Sequence, residues 1–153
     1  MPLYQIHAAI EQRTEAIREA HPDWPCRKGC DDCCRSLASE PLLSEPEWSL
    51  LRPALSGELL QRIAANANAP RPVTCPLLDR ETGACLVYAV RPLACRSYGY
   101  YAERGKVLGC HRIEAVAAAD DSILWGNHTA LDRETSAFGP AKPLSEWAMS
   151  VIR

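Results

Sequence analysis

The chain has 153 residues, 47% of them apolar, with 17 basic and 19 acidic side chains and a net charge of −2. That length suits one domain, so residues 1–153 are read as a single cysteine-rich domain with its motif core at 26–110. The near-neutral balance excludes a general attraction to nucleic acid; no apolar run is long enough to span a bilayer, and the opening MPLYQIHAAI does not resemble a signal peptide, so a cytoplasmic protein is expected.

In chain order, residues 3–20 read as an amphipathic helix, with Leu3, Ile6, Ile10 and Ile17 near one face. His21-Pro22 ends it, because the residue before proline is pushed out of helical geometry. A compact loop with Pro25 and Gly29 follows, leading into a turn or short helix at the cysteines. Ser44 and Glu47 form a capping-box signature for a helix through Leu51 that stops near Pro53. Ser56 caps another helix to about Ala65, and 66–72 is turn-rich. Residues 75–88 read as a β-hairpin, two short apolar runs around a polar turn ending in Gly83. Arg91-Pro92 opens a helix carrying Cys95. Residues 98–109 look irregular, 112–119 form an Ala-rich helix, and a last helix covers about 145–151. The fold class expected is α+β, mainly α: several short helices and one hairpin organised around metal rather than around a large sheet.

Eight cysteines are the dominant feature. Stable disulfides are disfavoured in a reducing compartment, which leaves metal ligation as the usual alternative. One cluster is Cys26-x3-Cys30-x2-Cys33-Cys34; the other is dispersed, at Cys75, Cys85, Cys95 and Cys110. Tetrahedral zinc needs sulfurs about 2.3 Å from the ion. A two-residue spacer supplies two of them from a turn, and a three-residue spacer from one helical turn. Adjacent Cys33 and Cys34 tend to point apart, as ligands of different metals or as one ligand and one buried thiol. Pairing of the hairpin would bring Cys75 near Cys85, and Cys95 and Cys110 are assigned to the same neighbourhood. Two four-cysteine sites, or one site with four spare thiols, both satisfy the pattern. A lone cysteine is usually a small buried hydrophobe, but four within nine residues are poorly explained that way.

Arg27, Lys28, Arg35, Arg96 and Arg112 stand close in sequence to cysteines, where positive charge would favour thiolates; ordinary solvated charge explains each equally well. Tyr98, Tyr100 and Tyr101 are expected to pack over the site rather than donate to it. Asp31 and Asp32 read as turn residues before oxygen ligands. His7, His21 and His128 lack ligand-like spacing. Cys110-His111 is adjacent in sequence, which does not by itself make a nucleophile and base. No catalytic residues are therefore assigned.

The combination of Cys26-x3-Cys30-x2-Cys33-Cys34, Cys75-Pro76-Leu77, Gly83-x-Cys85-x2-Tyr88 and Arg91-Pro92-x2-Cys95-Arg96 resembles the CxxCxxCC zinc- or iron-chelating family, often called YkgJ-like. The resemblance spans residues 26 to about 98, and Cys110 extends it. It implies small bacterial proteins that chelate zinc or iron through these cysteines, and relatives linked by name to flagellin lysine N-methylation. No glycine fingerprint for a methyl donor is present here. The expected function is metal binding, with zinc ahead of iron because the usual ferredoxin runs are absent. The alternatives are an iron–sulfur redox or enzyme component and a zinc-shaped module that docks another protein.

Overall fold

The computed structural model describes residues 1–152. It is mainly helical, with short strands in two small sheets. The helices are α1 (Leu3–Ala20), α2 (Asp32–Arg35), α3 (Glu45–Leu51), α4 (Gly57–Ala65), α5 (Leu93–Ser97), α6 (His111–Ala119), α7 (His128–Thr135) and α8 (Leu144–Val151). The strands are β1 (Leu42–Leu43), β2 (Tyr101–Glu103), β3 (Lys106–Leu108), β4 (Gly126–Asn127) and β5 (Lys142–Pro143). An α+β, mainly α architecture is thus what the chain adopts. Among the described residues, no helix is long and apolar enough to cross a membrane. The chain forms two compact units: Met1–Arg27 with Cys95–Ala137, and Lys28–Ala94 with the chain from Phe138 on.

In the first unit, α1 buries Ile6, Ile10, Thr14 and Ile17, the face that its isoleucine spacing marks out. His21 leaves helical geometry with its N–H still bonded to the Ile17 carbonyl. Trp24 is almost fully buried, stacks on Tyr100 at 6.0 Å and meets Trp125 at 5.3 Å. Such aromatic pairs contribute about 0.5–1.5 kcal/mol beyond area burial. A three-stranded sheet runs in the order β3-β2-β4, antiparallel between β2 and β3 and parallel between β2 and β4.

Residues 98–109 therefore contain a true hairpin, where the sequence reads as irregular. Arg104 and Gly105 both have positive φ, 50° and 79°, as a type I′ turn between twisted strands requires. The helix α7 is likewise absent from the sequence reading. Asn127 caps it by accepting from the Ala130 N–H, and it buries only Leu131, so its apolar pattern is faint.

In the second unit, α4 presents Leu59, Leu60 and Ile63 to one apolar core that also holds Leu43, Trp48, Leu51, Leu77, Leu78, Val87, Leu144 and Ala148. Both predicted caps form. Ser56 Oγ accepts from the Leu59 N–H at 3.1 Å, and Ser44 with Glu47 makes the capping box that starts α3. The C-terminal helix is latched to the segment before α3. β5 pairs with β1, the Glu40 carboxylate accepts from Ser145 N–H and Oγ at 2.8 and 2.7 Å, and Trp147 donates to the Leu43 carbonyl at 2.9 Å.

The hairpin expected at 75–88 is reduced to a single antiparallel bridge, Leu78↔Cys85. Asp79 N–H bonds the Ala84 carbonyl at 2.8 Å and Leu86 N–H the Leu77 carbonyl at 2.8 Å, but no ladder extends beyond. The polar loop is instead held by its own side chain, with Asp79 Oδ1 accepting from the Glu81 and Thr82 N–H groups.

Two substitutions test this packing. Glu47, only 6% exposed, accepts from Ser44 N–H, from Ser44 Oγ and from the Leu93 N–H at 2.7 Å. Glu47→Ala strands buried donors and is expected to cost about 2–4 kcal/mol in urea unfolding, since a lost charged hydrogen bond and an unsatisfied group add. A Cβ on Gly126 would stand 2.5–2.6 Å from the Tyr101 ring. Gly126→Ala is expected to lower the urea midpoint by the equivalent of about 1–3 kcal/mol, the usual cost of overpacking, with the slope unchanged.

Candidate metal centre

Within the second unit, short backbone connections gather four of the cysteines. Cys33 and Cys34 occupy the single-turn helix α2, which Asp32 opens and Arg35 closes. The Cys75 N–H donates to the Cys34 carbonyl at 2.7 Å, and Leu37 and Val73 exchange both backbone bonds at 2.7 and 2.9 Å just beyond. The Leu78 N–H bonds the Cys75 carbonyl, turning the chain so that the Leu78↔Cys85 bridge returns Cys85 toward Cys75. Cys75 is buried in the apolar core, and Cys34 and Cys85 pack against that core.

Electrostatics distinguish these thiols. A hydrogen bond from Cys34 pulls the Cys33 thiol down to about 7, against the cost of burial. The two adjacent side chains therefore interact with each other, in contrast to the expectation that they point apart. Burial pushes the Cys75 thiol up to about 11, and the neighbouring Cys85, Cys33 and Glu40 add to that rise. Burial also raises Cys85, while the Arg91 guanidinium opposes it. Arg91 was not among the basic residues expected to favour thiolates. Its guanidinium lies 3.8 Å over the Tyr88 ring, and Lys28 lies 5.0 Å from the same ring.

Asp31 acts on the loop rather than as a free ligand. Its carboxylate accepts from Arg35 Nε at 2.6 Å, and Arg35 also donates to the Arg80 carbonyl at 3.1 Å. Gly83 must be glycine for two reasons: its φ is 72°, and a Cβ there would lie 2.9 Å from Asp31 Oδ2. Cys30, half-buried, follows Gly29, whose φ is 94°.

Cys26, Cys95 and Cys110 belong to the first unit. Cys26 Sγ donates to the Tyr98 carbonyl at 3.5 Å, and a Cβ on Gly99 would stand 2.7 Å from that sulfur. The Tyr100 hydroxyl donates to the Cys26 carbonyl and the Trp24 indole to the Gly99 carbonyl, so the aromatic residues fix the backbone around the sulfur. Arg27 is spent on the Trp24 and Pro22 carbonyls. Cys110 is the cap residue of α6, with no side-chain cap bond, and Cys95 is exposed on α5.

The donor set fits zinc or iron, both of which accept all-thiolate ligation. A closed tetrahedral site with bonds of about 2.3 Å would hold its sulfurs roughly 4 Å apart. Among the described residues of either unit, no three cysteine sulfurs lie within 4.8 Å of one another. Cys33, Cys34, Cys75 and Cys85 are neighbours, but no three of their sulfurs stand as close as a closed site requires.

No curated protein and no solved structure matches the chain. A family profile does, over residues 25–122, which contain all eight cysteines. The chain belongs to the CxxCxxCC family, described as "Putative zinc- or iron-chelating domain".

Proposed function

We propose that the chain is a zinc-binding protein whose central ligands are Cys33, Cys34, Cys75 and Cys85, with Cys30 in the same unit and Cys26, Cys95 and Cys110 in the first unit as further thiolate donors. The observation that supports it is the convergence of Cys33 and Cys34 with Cys75 and Cys85 at the edge of one core. The Cys33 thiol, brought down to about 7, supplies a thiolate near neutral pH, as thiolate ligation requires. Cys75 and Cys85 would deprotonate on binding, because a bound cation inverts the local preference for the neutral thiol. Zinc is preferred to an iron–sulfur cluster on the ligand spacing, and the metal serves the fold or is carried rather than driving catalysis.

Elemental analysis of protein purified without oxygen should return at least one equivalent of metal, as zinc, in a colourless sample. Less than one equivalent of any metal would sink the reading, and visible absorption with stoichiometric iron would replace zinc by an iron centre.

Chelation should loosen the second unit. Thiolate ligation of zinc contributes on the order of 10 kcal/mol in small peptides, comparable with the whole stability of a domain. Hydrogen exchange after chelation is expected to accelerate in Lys28–Ala94 before it does in α1. Cys33→Ser should lose bound metal and give the same exchange pattern without chelator. A Cys33→Ser protein with full metal content and unchanged exchange would remove Cys33 from the ligand set.

A further inference from the structure

The first unit carries a second constellation, made without cysteine. The parallel register of β2 and β4 pairs Ala102 with Asn127, which sets Glu103 beside His128, the first residue of α7. Asp132 follows His128 by four residues, so the two share one face of the helix. His128 Nδ1 lies 3.3 Å from Asp132 Oδ2 and 3.9 Å from Glu103 Oε1. One donor atom from each of the three residues falls within 4.8 Å of the other two. No other such group of three among histidine, cysteine and carboxylate side chains occurs among the described residues.

The ring nitrogen is the telling atom. It is shielded from solvent and has no hydrogen-bond partner, although two carboxylates stand at ion-pair range. A buried polar atom left unbonded is ordinarily unfavourable. A cation among the three donors would satisfy the nitrogen lone pair and neutralise the two carboxylates together. The remaining ligand positions face water, because Glu103 and Asp132 are partly exposed.

We propose that Glu103, His128 and Asp132 form a divalent-cation site for a hard or borderline ion, with water completing its coordination. One imidazole and two carboxylates suit Mn2+ and neighbouring first-row ions, whereas thiolates select softer ones. The site is therefore distinguished from the cysteines by the chemistry of its donors.

Mn2+ is the probe, added to the protein as purified and followed by paramagnetic broadening of the histidine ring signals. Those of His128 should broaden first and saturably, ahead of His7, His21 and His111. Asp132→Asn, on an exposed helical position, should raise the Mn2+ concentration for half-broadening at least about tenfold, the lower bound seen when even a supporting partner of a ligand is lost. His128→Gln should abolish selective broadening of the Glu103 and Asp132 amides while the rest of the spectrum stays in place. Parallel broadening of all four histidines, or an Asp132→Asn titration that matches the parent, would overturn the proposal and leave an ordinary surface ion pair.

Discussion

The cysteine pocket depends on one backbone hydrogen bond, from the Cys75 N–H to the Cys34 carbonyl. It joins two segments some forty residues apart, and the paired bonds between Leu37 and Val73 keep them in register. α2 is a single helical turn with no buried residue, so tertiary contacts such as this bond must hold it, since short helices are stable only through them. Every other feature of the pocket follows from it. Cys75 enters the core, Cys85 returns across the bridge to Leu78, and Asp31 is brought to the turn that ends at Gly83.

The same arrangement makes the apolar core and the thiols one object. Cys34, Cys75 and Cys85 pack with Leu37, Leu77, Leu78 and Val87, so the sulfurs have an apolar floor and a polar rim with Arg91 and Tyr88. An apolar floor raises thiol pKa values, which favours the proton over the bare thiolate, so these thiols would give up their protons only to a bound cation that reverses that preference. The opposite directions at Cys33 and Cys75 are then intelligible. Cys33 receives a hydrogen bond at the rim, and Cys75 is desolvated on the floor.

What was legible in the sequence was local. The isoleucine spacing of α1, the Ser44–Glu47 box and the Ser56 cap each act over a few residues, and each forms as written. The hairpin of β2 and β3 was missed because its strands are three residues long and its turn places an arginine at positive φ, where Asn or Asp is the usual sign. Its supposed counterpart at 75–88 had the apolar runs of a hairpin, but those side chains serve the core around Cys75 and leave one bridge. α7 was hidden because only Leu131 is buried, and the pairing of His128 with Glu103 depends on a parallel register no local pattern reveals. The nearness of Cys75 and Cys85 was legible, but their approach to Cys33 and Cys34 was not, since spacing along the chain cannot report the Cys34–Cys75 stitch.

The latch of α8 onto Glu40 and Leu43 bears on the order in which the protein is made. Leu144 and Ala148 are among the most deeply buried residues of the core that carries Cys75. Chains emerge from the ribosome N-terminal end first, at about 5–20 residues per second. Cys34, Cys75 and Cys85, which lie in or against that core, are therefore synthesised before the helix that completes it, so these thiols emerge beside an apolar surface still uncovered. The core around Cys75 thus stays open on the side of α8 until Leu144–Val151 has been made.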